Sequence, residues 1–129
     1  MKKTILVIDD SAPIRYLLEA MLSKEYSVVS AADGFLALAW LSNGNSVDCI
    51  VTDLQMPNIS GWELLDHLSS SVLYRDIPVV VLSGNVETDA TELTNKYSNV
   101  FAFTRKPFDP VQLMKTVGEI VGRRVAAAV

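Results

Sequence analysis

Five short apolar runs, separated by segments with helical spacing, set the strongest constraint on how this chain can fold. The runs are rich in valine and isoleucine and lack polar alternation, which is typical of strands covered on both faces of a sheet. They are Thr4–Ile8, Ser27–Ala31, Cys49–Thr52, Pro78–Leu82 and Val100–Thr104. Five strands alternating with five helices predict a doubly wound α/β fold: a parallel sheet with right-handed crossovers and helices on both faces.

Side chains suited to capping mark the start of three predicted helices, and a fourth opens at Asp33-Gly34. The capping residues are Ser11, Ser60 (with Glu63 at capping-box spacing) and Asp109. The first helix then carries one apolar stripe, formed by Ile14, Leu17, Leu18, Met21 and Leu22. The fourth helix, predicted at roughly Val86–Tyr97, has a thin stripe and several threonines, which are mediocre helix formers. We therefore expect it to be the least stable helix and the one most easily shifted.

Polar residues follow four of the five predicted strands. Asp9 and Asp10 follow the first strand, Asp53 the third, Ser83 the fourth, and Lys106 lies just beyond the fifth. In sheets of this kind, ligands bind beyond the carboxyl ends of the strands, where the strand order reverses. If the order is 2-1-3-4-5, the first and third strands are neighbours and their carboxylates converge.

Converging carboxylates repel one another, and two things relieve the repulsion: proton uptake, or a hard divalent cation with oxygen ligands, which describes Mg²⁺. Lys106 adds a positive charge on a flexible stem that suits a transferred phosphoryl group, and Ser83 can donate to a phosphoryl oxygen. A single aspartate at a strand end is more often a cap or a loop residue. The full set, however, is equipped for nucleophilic attack on phosphorus.

Four motifs built on these residues carry a family resemblance. They are Ile-Leu-Val-Ile-Asp9-Asp10-Ser, Asp53-Leu-Gln-Met-Pro57-Asn-Ile-Ser-Gly61, Val-Val-Val-Leu-Ser83-Gly and Lys106-Pro107-Phe108. Together they resemble the receiver domain of bacterial response regulators, over about residues 3–122. The resemblance implies a flavodoxin-like, CheY-like sheet of order 2-1-3-4-5. It also implies a receiver domain at residues 1–124 and a C-terminal tail at 125–129.

The resemblance implies a role for each strand-end residue. Asp53 would be the phosphoacceptor, taking its phosphoryl group from a sensor histidine kinase or a phosphotransfer protein. Ser83 and Lys106 would bind the phosphoryl oxygens, and the Lys106-Pro107 bond would be cis. The Mg²⁺ ligands would be Asp9 (mainly through water), Asp10, Asp53 and the backbone carbonyl of Gln55.

A switch is implied as well. Ser83, which replaces the family's commoner threonine, would move toward the phosphoryl group. Phe103, at the family's aromatic switch position, would then turn inward and alter the face formed by the fourth helix, fifth strand and fifth helix. That face would bind a downstream protein, whose identity the sequence leaves open, and homodimerisation through it is a further open alternative.

Net charge and local sequence patterns argue against several other functions. A net charge of −4 argues against direct binding to nucleic acid or an anionic membrane. No segment approaches the roughly 18 apolar residues of a membrane span, and we expect a cytoplasmic protein. Cys49 is expected to be a buried small hydrophobe, and His67 a surface residue. No glycine-rich loop follows the first strand, as flavin or dinucleotide binding would require.

Two other functions are compatible with this fold class. An aspartyl-phosphate hydrolase would want an acid two residues after its nucleophile, where Gln55 stands. We therefore expect no turnover enzyme, but a domain that promotes only its own phosphorylation and autodephosphorylation. A phosphorylation-independent interaction module with the same fold is the alternative, and the intact acidic set argues against it. Both a stand-alone domain and a fragment of a longer regulator remain open.

Overall fold

The computed structural model describes residues 2–85 and 88–128 and contains the predicted α/β alternation. Its strands are β1 (Thr4–Ile8), β2 (Ser27–Ala31), β3 (Cys49–Asp53), β4 (Val79–Ser83) and β5 (Val100–Arg105). Its helices are α1 (Ala12–Leu22), α2 (Gly34–Ser42), α3 (Gly61–Ser70), α4 (Ala90–Lys96) and α5 (Pro110–Ala128). The strands form one parallel sheet in the order β2-β1-β3-β4-β5, which confirms the predicted fold class and strand order.

The sheet separates two apolar layers, because alternate side chains of each strand point to opposite faces. On β1, Leu6 and Ile8 belong to a core that includes residues of α2 and α3, whereas Ile5 and Val7 belong to a core that includes residues of α1 and α5. The central strands β3 and β4 are buried along their whole length. This two-sided burial explains why their sequences are continuous apolar runs.

The three predicted caps are present, and Asp33 caps α2 as well. The Ser11 hydroxyl accepts from the Ile14 N–H, and the Asp33 carboxylate accepts from the Leu36 N–H. Ser60 and Glu63 form the reciprocal capping box, in which each side chain accepts from the other residue's backbone N–H. The Asp109 carboxylate accepts from the Val111 N–H at 2.9 Å. Local side-chain chemistry thus fixes where these helices begin, and with them the length of the loops at the sheet edge.

Three features differ from the sequence-based expectation. Leu17, predicted to lie on the buried stripe of α1, is 44% exposed, because the contact with the sheet is made by Leu18 and Leu22 instead. Helix α4 begins at Ala90, where the Asp89 carboxylate caps it, and not near Val86; positions 86 and 87 lie outside the described residues. Helix α5 continues to Ala128 and so covers positions 125–128, which the sequence assigned to a tail.

Cys49 is buried and His67 is exposed, as expected. Among the described residues, no helix combines the length and the apolar character needed to span a bilayer.

Candidate functional site

Three carboxylates meet at the carboxyl edge of the sheet. Because β1 and β3 pair with Ile8 opposite Thr52, their next residues, Asp9 and Asp53, lie side by side. Asp9, Asp10 and Asp53 each offer an oxygen, and these oxygens all lie within 4.8 Å of one another. Asp9 and Asp53 are buried, whereas Asp10 is exposed. The structure therefore brings together the acidic residues that the strand-end pattern singled out.

Lys106 faces this acidic cluster. Its ammonium donates to Asp9 Oδ2 at 2.8 Å and to Asp53 Oδ2 at 3.2 Å. Burial alone lowers the pKa of Lys106, but the hydrogen bond to Asp9 and the charges of Asp9 and Asp53 outweigh burial and raise that pKa above its ordinary value. Lys106 is therefore a firmly protonated cation that joins β5 to the ends of β1 and β3.

The second oxygen of Asp53 is fixed by backbone. Its Oδ1 accepts from the N–H of Leu54 at 2.7 Å and from the N–H of Gln55 at 3.3 Å. The Asp53 carboxylate is thus held from both sides, by two amides on one oxygen and by Lys106 on the other. Such an oriented carboxylate presents its remaining lone pairs in a defined direction at the rim of the sheet.

Gly61 explains why the segment after Asp53 has its particular path. A Cβ atom at position 61 would lie 2.3 Å from the Asp53 carbonyl oxygen and 2.5 Å from Leu54 Cα. In addition, the Gly61 N–H donates to the Leu54 carbonyl at 2.8 Å. The start of α3 therefore packs directly against the backbone that carries Asp53, which is possible only without a side chain. Gly61 closes the motif that begins at Asp53, but the sequence does not reveal its contact with the Asp53 and Leu54 backbone.

Arg15 is a contributor that sequence reasoning missed. It lies one turn into α1, and its Nη1 donates to the Asp9 carbonyl at 2.8 Å. Asp9 Oδ1 also accepts from the Ser11 N–H at 2.9 Å. These bonds fix the turn between β1 and α1. The only sequence signal would have been an arginine one helical turn beyond the acidic pair, which is not distinctive.

Ser83 ends β4 next to this cluster and is almost fully buried. Its hydroxyl accepts from the Asn85 N–H at 3.1 Å and lies 3.3 Å from the Thr88 hydroxyl. Phe103, on neighbouring β5, is half-buried, with the Arg105 guanidinium 5.2 Å from its ring centroid. The Lys106-Pro107 peptide bond is cis, as the resemblance implied.

The donor set fits a hard divalent cation. All the clustered ligands are carboxylate oxygens, the chemistry that Mg²⁺ prefers. Three carboxyl groups face the single ammonium of Lys106, so negative charge is in excess at this rim. A divalent cation would offset that excess. Within the described part of the chain, the candidate metal ligands of this cluster include no histidine or cysteine, which a zinc site would favour.

The chain is similar to known proteins over most of its length. The family model for the response regulator receiver domain matches residues 5–118. The response regulator GtcR of Aneurinibacillus migulanus is 30% identical over 118 residues, which cover 91% of this chain and 47% of that protein. Hybrid signal transduction histidine kinase D of Dictyostelium discoideum is 28% identical over 125 residues, which cover 97% of this chain and 8% of the kinase. This chain thus spans about half of one curated relative and under a tenth of the other.

A solved structure agrees with the fold. The chemotaxis response regulator CheY4 of Vibrio cholerae is 28% identical and superposes with a TM-score of 0.81, covering 93% of this chain and 99% of that one.

Proposed function

The chain belongs to the response regulator receiver domain family of two-component signalling, and from this premise we propose that Asp53 is its phosphoacceptor. The phosphoryl donor is the phosphohistidine of a sensor histidine kinase or of a phosphotransfer protein. The observation that carries the proposal is the position of Asp53: it shares one cluster with Asp9 and Asp10 and accepts a hydrogen bond from Lys106.

In the proposed transfer, a carboxylate oxygen of Asp53 attacks phosphorus. The new O–P bond forms as the N–P bond of phosphohistidine breaks, and its electron pair returns to the imidazole nitrogen. The Leu54 and Gln55 amides orient the nucleophile, since both donate to Asp53 Oδ1. The Lys106 ammonium lies 3.2 Å from Asp53 Oδ2, close enough to bind the phosphoryl oxygens as negative charge builds up on them.

Asp9, Asp10, Asp53 and the backbone carbonyl of Gln55 are the proposed Mg²⁺ ligands. When bound, Mg²⁺ supplies positive charge that offsets both the clustered carboxylates and the incoming phosphoryl oxygens. Asp9 is buried and paired with Lys106, which suits a supporting role through water, whereas Asp10 is exposed and free to reach an ion directly.

Phosphorylation would add roughly two negative charges to the rim of the sheet. Ser83 is the hydroxyl at the end of the adjacent strand, and we propose that it turns toward those charges while Phe103 moves inward. The face formed by α4, β5 and α5 then changes. Phe101 on β5 is 52% exposed and offers this face an apolar contact for a downstream protein or a second copy of the chain.

The proposed activity is a switch, not turnover. The chain would promote its own phosphorylation and, slowly, its dephosphorylation, because position 55 carries a glutamine that has no acidic proton to give a leaving group.

Incubation with Mg²⁺ and acetyl phosphate, followed by intact mass measurement, tests the proposal. The unsubstituted chain should gain one phosphoryl group, and Asp53→Asn should gain none. Asp48→Asn is the matched control, because Asp48 lies before β3 at the opposite edge and accepts from the Thr4 N–H. Equal labelling of Asp53→Asn would overturn the proposal. Sustained turnover of phosphate esters, which cannot phosphorylate Asp53, would favour a hydrolase instead. An unlabelled native chain would favour a phosphorylation-independent interaction module.

A further inference from the structure

Arg105 connects the proposed switch residues to one another. It ends β5 and pairs with Ser83 in the sheet register. Its Nη1 donates to the Asn85 carbonyl at 3.1 Å, and its Nη2 donates to the Thr88 carbonyl at 2.9 Å. The same guanidinium lies over the Phe103 ring, 5.2 Å from the centroid. One side chain thus contacts the aromatic residue and two residues beyond the end of β4.

Those two residues are also the partners of the Ser83 hydroxyl. The Asn85 N–H donates to Ser83 Oγ, and the Thr88 hydroxyl lies within hydrogen-bond distance of it. The Thr88 N–H donates to the Asn85 carbonyl at 3.3 Å, so the pair is joined directly as well. Arg105 therefore fixes the backbone positions from which Asn85 and Thr88 hold Ser83.

We propose that Arg105 is a positioning residue that latches Ser83 in the unphosphorylated arrangement; this inference rests on the proposed function of Asp53. To donate to a phosphoryl oxygen, the Ser83 hydroxyl must leave Asn85 and Thr88 or carry them along. Either motion disturbs the two bonds from Arg105. Inward rotation of Phe103 removes the ring from beneath the guanidinium, so the latch opposes both movements together.

Arginine is suited to this role by its shape. Its planar guanidinium can donate to two carbonyls at once and lie flat on an aromatic ring, whereas a lysine ammonium keeps the charge but not the fork. Loss of the Arg105 charge would weaken anion binding at the nearby site. Loss of the paired hydrogen bonds to the Asn85 and Thr88 carbonyls would release Ser83 and so strengthen anion binding. Arg105→Lys separates the two effects because it removes the fork only.

The test uses beryllium fluoride with Mg²⁺, a stable mimic of the phosphoryl group, on the full chain. We expect Arg105→Lys to bind it about three- to tenfold more tightly than the unsubstituted chain, the change expected from one or two lost hydrogen bonds. Thr88→Val, which removes the hydroxyl partner of Ser83, should act in the same direction. Arg75→Lys is the matched control at an exposed position before β4, and it should leave the affinity unchanged.

A double substitution separates a latch from general loosening of the fold. In a Ser83→Ala background, Arg105→Lys should change beryllium fluoride affinity much less than in the unsubstituted chain, because no hydroxyl remains to be held and only the contact with Phe103 is altered. An equal change in both backgrounds would contradict the latch. Unchanged or weaker binding by Arg105→Lys, with normal binding by the unsubstituted chain, overturns the latch alone. Failure of the unsubstituted chain to bind overturns the proposed function, and the latch with it.

Discussion

At the scale of single residues, charge and close contact determine the site. The strand-end pattern was sufficient to predict that Asp9, Asp10, Asp53 and Lys106 meet, because parallel strands deliver their ends to one edge. It could not predict that Lys106 contacts Asp9 more closely than Asp53, at 2.8 Å against 3.2 Å, since such details depend on packing. Nor could it reveal the contacts of Arg15 and Gly61, which connect residues through backbone atoms.

Lys106→Met should raise Mg²⁺ affinity about tenfold, because the Lys106 ammonium competes with the cation for the carboxylates of Asp9 and Asp53. Opposite charges about 4 Å apart attract by about 1 kcal/mol even in water, and by more at a part-buried site. The same substitution should slow phosphorylation, since the phosphoryl oxygens lose their cation. Calorimetric Mg²⁺ titration measures the first effect. Lys115→Met, an exposed position on α5, serves as the control for net charge. Weaker Mg²⁺ binding by Lys106→Met would contradict the charge balance described here.

Gly61→Ala should destabilise the fold by about 2–3 kcal/mol, because the new methyl group would collide with the backbone at Asp53 and Leu54. It should also displace Asp53 and reduce its phosphorylation. Urea unfolding gives the free energy. Gly122→Ala is the matched control, since among the described residues no atom lies within 4 Å of the position that a Cβ atom would take there. Equal stability of the two variants would show that α3 can withdraw from Asp53 without cost.

At the scale of elements, strands were predicted to within one residue, but α4 was not. The apolar runs are continuous because both sheet faces are covered, so their ends are clear. Helix α4 has only seven residues, with Leu93 buried, so periodicity gave little guidance to its start. Its end is secured by Tyr97, whose hydroxyl donates to Asp66 Oδ1 of α3 at 2.6 Å, a partner 31 positions away that no local pattern reveals. That α4 is the least stable helix remains a prediction.

Tyr97 should make stability depend on alkaline pH. Burial, then the hydrogen bond and charge of Asp66, raise the pKa of Tyr97 from 10.0 to about 12. The unfolded chain therefore loses this proton first, so the stabilisation is complete below pH 10 and is lost as pH rises from 10 through 12. Urea unfolding at several pH values should show a shallower alkaline decline for Tyr97→Phe than for the native chain. Parallel declines would contradict the assigned shift.

At the scale of the whole molecule, topology was the most predictable feature and the response to phosphorylation the least. Alternating strands and helices leave few arrangements once crossovers are right-handed, and the family motifs then select one. The proposed switch is different, because its two arrangements of Ser83, Phe103 and Arg105 would differ by only a few hydrogen bonds. Sequence patterns report which residues are present, but they do not report the balance between such arrangements.

The most direct test of the account locates the phosphoryl group chemically. After reaction with acetyl phosphate and Mg²⁺, borohydride reduces an aspartyl phosphate to homoserine, which peptide mass spectrometry can place in the chain. The account predicts homoserine at position 53 and a large reduction in yield when Mg²⁺ is chelated. Homoserine at position 9 or 10 instead, or a yield at position 53 that does not depend on Mg²⁺, would contradict it.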